Sequence, residues 1–175
     1  MKALIFAAGL GTRLKPLTDN RPKALVEVCD EPLLAHVLRK LSQSGYTEVV
    51  INVHHFGKQI IDYVSQHPIE GMTIRISDER AELLDTGGGI RQAGNLFTND
   101  GRPFLIHNVD IFSNLDLKEF YTTHPTTEGA TLLVSERKTS RYLLFDPSDN
   151  RLVGWTNIQT GEVKSPYPNL RVEDC

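Results

Sequence analysis

The chain has 175 residues, 39% of them apolar, enough for one domain with a sizeable core and short for two. Nineteen basic against twenty-two acidic residues leave a net charge of -3, which excludes a protein built to coat nucleic acid or an anionic membrane and makes any anion site local. Two cysteines, Cys29 and Cys175, supply neither a disulfide framework nor a metal spacing, so a reducing, cytoplasmic location is expected.

The apolar opening Lys2–Ala8 predicts a strand. Gly9, Gly11, Arg13 and Lys15 interrupt it too soon for a signal peptide. No later run approaches the ~18 to 20 apolar residues that span a bilayer. After Pro32, Leu33, Leu34, Val37, Leu38 and Leu41 fall at helical spacing. Glu48–Val53 reads as a strand, Phe56, Ile60, Ile61 and Val64 as a second helix, and Met72–Ser77 as a strand. Ile90, Ala93 and Phe97 mark a third helix, and Pro103–Asn108 a further strand. Asp116 with Glu119 forms a capping box that opens a fourth helix. Ala130–Ser135 is the next strand expected. Beyond it, "RYLLFD" and "RLVGWTN" read as short, half-exposed strands joined by an Asp-Pro-Ser-Asp-Asn turn. The final "SPYPNLRVEDC" has no helical period, so residues 1–175 are expected to be a single domain lacking its C-terminal part.

Strands alternating with helices predict an α/β fold, doubly wound, with a mostly parallel, mixed sheet covered by helices on both faces. Ligands of such sheets sit outside the carboxyl ends of the strands. Three segments follow strands directly: the opening loop, "DTGGG" and "HNVD".

The loop "FAAGLGTRLKPLTDNRPKAL", Phe6 to Leu25, fits neither of two common phosphate cradles. A dinucleotide turn needs glycine where Leu14 stands, and the P-loop spacing is absent. Pro16 and Pro22 prevent a long helix from starting at Gly11, so the segment is expected to stay extended and wrap a ligand. Glycine lets main-chain N–H groups approach an anion, while Arg13, Lys15, Arg21 and Lys23 add positive charge along the same path. Several phosphates in a row suit such a loop.

"GLGTRLKPLT" followed by "RPKAL" resembles the opening motif of the sugar-1-phosphate nucleotidyltransferases, which make nucleotide-activated sugars and have a Rossmann-like fold. The resemblance implies a nucleoside triphosphate and a sugar 1-phosphate as substrates, Mg2+ as cofactor, and no nucleic-acid or membrane partner; homo-oligomerisation stays open. It implies that Ala8, Gly9, Gly11 and Thr12 hold the nucleotide by main-chain contacts, that Arg13 neutralises the departing pyrophosphate, and that Lys23 bridges phosphates of both substrates. "LLDTGGG" is similar to the family's base-recognition turn, with Gly87 and Gly88 giving the base room. In "HNVD", Asn108 and Asp110 match the strand-end Asn-x-Asp, whose aspartate binds the metal. The "DTGGG" form looks nearest to small bacterial members, the N-acetylmuramate 1-phosphate uridylyltransferases and mannose- or heptose-1-phosphate guanylyltransferases. Uridylyl transfer is the first choice, ahead of guanylyl or thymidylyl transfer. A phosphocholine cytidylyltransferase, which shares the loop, and a non-catalytic nucleotide-binding regulator are the alternatives.

Other residues read more simply. His54 and His55 are adjacent, point oppositely in extended chain and lack carboxylate partners, which argues against zinc. His107 reads as a satisfied strand residue supporting the site. Trp155 and Asn157 are candidates for a sugar pocket or for packing. Val109 stands where many relatives have glycine, and Leu143 where they carry the glycine of a Tyr-Gly pair.

Overall fold

The computed structural model describes residues 1–125 and 129–175. They form two compact units, Met1–Gly129 and Ala130–Cys175.

The first unit is built on four parallel strands, β1 (Lys2–Phe6), β4 (Glu48–Val53), β5 (Thr73–Asp78) and β6 (Leu105–Asn108), in the order β5-β4-β1-β6. Between β1 and β4 lie a two-residue ribbon, β2 (Glu27–Val28) with β3 (Glu31–Pro32), and helix α1 (Leu33–Gln43). Helices α2 (Gly57–Gln66), α3 (Asp85–Gly94) and α4 (Leu117–Thr122) complete the unit.

Because side chains alternate across a strand, the sheet buries two different sets. Ala3, Ile5, Val49, Ile51, Val53 and Leu105 pack with α1, α2 and α4 through Leu34, Leu38, Leu41, Ile60 and Leu117. Leu4 and Val50 face the other way and pack with Ala93 and Ile90 of α3. Both faces are covered, as the near-continuous apolar runs of β1 and β4 require. The helices start where the sequence punctuates them. α1 follows Pro32, and α4 is capped by Asp116, whose Oδ1 accepts from the amides of Lys118 and Glu119, both at 2.9 Å. Tyr46, fully buried, donates its hydroxyl to the Leu117 carbonyl at 3.0 Å and so ties α4 to the sheet.

The second unit is a three-stranded antiparallel sheet in the order β7-β8-β9, from β7 (Arg141–Phe145), β8 (Leu152–Asn157) and β9 (Glu162–Lys164). The strand expected at Ala130–Ser135 does not form. Residues 130–139 have no regular structure, and Leu132, Leu133 and Val134 are exposed. Apolar, β-branched composition favours a pleated surface only where a neighbouring strand accepts its ladder hydrogen bonds, and among the described residues no strand is paired with this run.

Replacing Asp116 by Ala is expected to cost about 1 kcal/mol in urea unfolding, whereas Asp116→Asn keeps most of that stability because an amide oxygen also caps. Equal losses in both variants would mean that charge, not the cap bond, is responsible.

Candidate active site

β1 lies between β4 and β6, so the three strands end side by side and their following segments meet. The backbone leaves β1 through Ala7 and Ala8. Both amides turn inward and donate to Asn52 Oδ1, at 2.7 and 3.2 Å. The N–H of Ala8 is therefore committed within the protein, which leaves its carbonyl as the main-chain group open to an external ligand.

Gly9 is exposed, and Gly11 takes a left-handed conformation with φ 68°. A side chain at Gly11 would be strained, and its Cβ would stand 3.0 Å from Thr18 Cγ2. Thr18 is buried beneath the loop and donates its hydroxyl to the Gly11 carbonyl at 2.9 Å. The loop is not the extended wrap expected from its prolines. Thr12–Leu14 form a 3-10 turn, Leu17 N–H then bonds the Leu14 carbonyl at 2.9 Å, and Asp19 N–H bonds that of Pro16 at 3.1 Å. The prolines stop a long helix but leave the intervening amides free to close successive turns.

The four cations of the loop separate. Lys15 approaches Asp19 at 3.6 Å and Arg21 approaches Glu27 at 4.0 Å. Arg13 is exposed and forms no ion pair among the described residues. Lys23 is the one that turns toward a strand end, placing Nζ 2.7 Å from Asp110 Oδ2.

Asp110 reaches this position because Val109 N–H continues the β1 pairing, donating to the Phe6 carbonyl at 3.2 Å. Val109 itself is fully buried in the core. The segment beyond is fastened to α1. Lys40 Nζ donates to the Ser113 carbonyl at 2.5 Å, and the His36 and Phe112 rings meet edge to face at 5.3 Å. Asn108 stands opposite Phe6 in the register and is exposed.

The three glycines of "DTGGG" fill the first turn of α3 and play different parts. A Cβ on Gly87 would meet nothing within 4 Å, so this face of the helix start is open. On Gly88 it would press Leu84 Cβ at 2.8 Å, and on Gly89 it would stand 2.9 Å from Glu79 Oε1 and 3.2 Å from Asn52 Nδ2. Sequence reasoning missed Asn52, Glu79 and Gly89. Asn52 sits inside a strand that reads as uniformly apolar, and only its polarity among Val50, Ile51 and Val53 signals it.

His54 Nδ1 bonds the Glu79 carbonyl at 2.6 Å, while His55 packs on Phe56 at 4.0 Å between ring centroids. Trp155 and Asn157 lie on β8 of the second unit, with Lys164 Nζ 5.3 Å from the Trp155 ring centroid.

Among the described residues, no group of three or more His, Cys, Asp or Glu side chains could enclose a metal. Magnesium needs no such cage, since it binds through one or two carboxylates together with substrate phosphates and water. The partly exposed carboxylate of Asp110 fits that sparse donor set.

The nucleotidyl transferase family matches residues 2–150, and the chain belongs to that family. It is 43% identical over 123 residues to N-acetylmuramate alpha-1-phosphate uridylyltransferase of Neisseria meningitidis serogroup B, covering 70% of this chain and 52% of that protein. It is 33% identical over 138 residues to mannose-1-phosphate guanyltransferase 2 of Candida glabrata, covering 78% and 38%. The fold matches HddC from Yersinia pseudotuberculosis, solved in complex with GMP-PN, with a TM-score of 0.62 and 29% identity over 70% of this chain and 53% of that one. The chain thus spans about half the length of these relatives or less. The family expected from the loop and the α/β architecture expected from the alternation of elements both hold.

Burial pulls the His107 imidazole below its ordinary range. The Asn108 carbonyl at 2.7 Å and the Asp110 charge oppose that shift, and the Lys40 charge assists it. The folded ring resists protonation, so its stabilising contribution is complete above about pH 6.5 and is lost as pH falls through the lowered folded value. Melting temperature is expected to drop on that acid side, and His107→Gln to flatten the drop. An unchanged slope in the variant would contradict the assignment.

Proposed function

We propose that this protein transfers a nucleotidyl group, uridylyl by preference, from a nucleoside triphosphate to a sugar 1-phosphate, releasing pyrophosphate. The observation that carries this reading is the Lys23–Asp110 contact, a cation and a carboxylate 2.7 Å apart where a glycine loop meets the end of β6. Membership of the family supports the reaction class. The 43% identity to a protein named as a uridylyltransferase favours uridylyl and an N-acetylmuramate-like sugar.

The reaction needs no protein nucleophile. A phosphate oxygen of the sugar 1-phosphate bonds to the α-phosphorus as the bond from that phosphorus to the β-phosphate bridging oxygen breaks. Two anions must be brought together and a third released, so alignment and charge neutralisation do most of the catalysis. Magnesium would supply a Lewis acid that draws charge from the α-phosphate, and Asp110 is the carboxylate to hold it. Lys23 then exchanges its carboxylate partner for phosphate oxygens of both substrates. Arg13, exposed and without an ion pair among the described residues, is free to turn onto the departing pyrophosphate. Gly9, Gly11 and Thr12 offer main-chain groups to the phosphates, the open side of Gly87 receives the base with Gly88 next to it, and Asn108 stands at the end of β6 on the other side of β1. The chemistry uses soluble anions and fits a cytoplasmic enzyme.

The protein is expected to release pyrophosphate when given Mg2+, UTP and one member of a panel of sugar 1-phosphates. Arg13→Ala should lower kcat by on the order of 10²-fold while UTP affinity changes little, because its charge acts on the leaving group. Bound triphosphate with no pyrophosphate release from any sugar 1-phosphate would refute the transfer reaction. A variant with normal kcat and weakened UTP binding would refute the role of Arg13.

A further inference from the structure

Asn52 and Glu79 are both 2% exposed, in a layer of the protein otherwise filled by Leu4, Val50 and Ala93. They form one continuous chain of hydrogen bonds. Asn52 Oδ1 accepts from the amides of Ala7 and Ala8, Asn52 Nδ2 donates to Glu79 Oε1 at 2.9 Å, and Glu79 Oε2 accepts from the amide of Leu84 at 3.3 Å. The carbonyl of Glu79 is held in turn by His54 at 2.6 Å. One end of this chain fixes the two peptide groups from which the glycine loop departs. The other fixes the residue immediately before α3, and Gly89 brings the first turn of that helix down onto the same pair.

Burying a carboxylate and an amide is costly, and apolar residues of similar volume would hold the sheet to α3 equally well. What apolar residues lack is direction. A connected polar network specifies one arrangement of the groups it joins. In the function proposed for this site, those groups are the segment that takes the phosphates and the segment that takes the base.

We propose that Asn52 and Glu79 are positioning residues that fix the distance and orientation between the phosphate loop and the start of α3, so that one nucleotide engages both. Both side chains are withdrawn from solvent and act through the backbone segments they hold. The inference rests on the nucleotide-site reading. Its consequence is selective: loosening the pair should weaken a ligand that spans both segments far more than one that fills the loop alone.

The test is calorimetric titration of the whole chain, with Mg2+, by UTP and by inorganic tripolyphosphate. Asn52→Asp sets two carboxylates against each other, and Glu79→Gln leaves one buried amide facing another donor. Each is expected to weaken UTP about tenfold or more while tripolyphosphate stays within about threefold. Combining the two exchanges restores the network: the carboxylate then standing at position 52 would accept from Ala7, Ala8 and the new side-chain amide at position 79, whose oxygen accepts from Leu84. The double variant should therefore recover UTP affinity, which a simple loss of packing would not allow. Gly89→Ala, which presses a methyl on the intact pair, provides the same comparison should a single variant fail to fold, with the same selective loss expected. Parallel losses for both ligands, unchanged UTP binding, or a double variant no better than the singles would overturn the positioning role. If the unmodified protein binds neither UTP nor any other nucleoside triphosphate, the nucleotide-site reading falls, and this inference with it.

Discussion

The site depends on the parallel pairing of β1 with a neighbour on each side. Phe6 lies opposite Asn52 on β4 and Asn108 on β6, so the carboxyl ends of the three strands stand at one level. Parallel strands require crossovers, and every crossover delivers its next strand with the same end pointing the same way. The segments that carry chemistry are far apart in sequence. They converge because the ladder leaves them one edge of the sheet on which to emerge.

Charge at that edge is arranged so that little of it stands alone. The carboxylate proposed to hold a metal and the lysine proposed to hold phosphates would each be unpaired if they stood apart. Here they neutralise one another, while Arg13 stays in water. A pair in which Lys23 is half-buried and the Asp110 carboxylate keeps contact with water contributes little to folding, which leaves Lys23 and Asp110 able to change partners when anions and a cation arrive together. The buried Asn52–Glu79 pair differs because it is withdrawn from solvent and each side chain bonds both its partner and a main-chain amide.

Much of this was legible in the sequence. Periodicity at Leu33, Leu34, Val37, Leu38 and Leu41 gives α1, the apolar run Glu48–Val53 coincides with β4, and Asp116 marks the start of α4. These are local signals that tertiary packing reinforces. The loop motif, "DTGGG" and "HNVD" pointed to the family because glycines and charges at those spacings are unusual together. Four things were hidden. The turns within the loop depend on hydrogen bonds such as Thr18 to Gly11, which spacing does not reveal. The ribbon of β2 and β3 turns through Cys29 and Asp30, both at positive φ, and a cysteine gives no turn signal. The run Ala130–Ser135 has the composition of a strand, but pairing is a property of its surroundings. Asn52 and Glu79 stayed unseen for a related reason, since a buried polar residue is recognised by what it touches.

The groups gathered at the ends of β1 and β6 are proposed to move a nucleotidyl group between two phosphates. Supplying UTP labelled at the α-phosphorus, with Mg2+ and a sugar 1-phosphate, tests this most directly. The label is predicted to appear in a nucleotide sugar in equal amount to the pyrophosphate released. Label recovered only as UMP, or remaining in UTP while the nucleotide is bound, would contradict it.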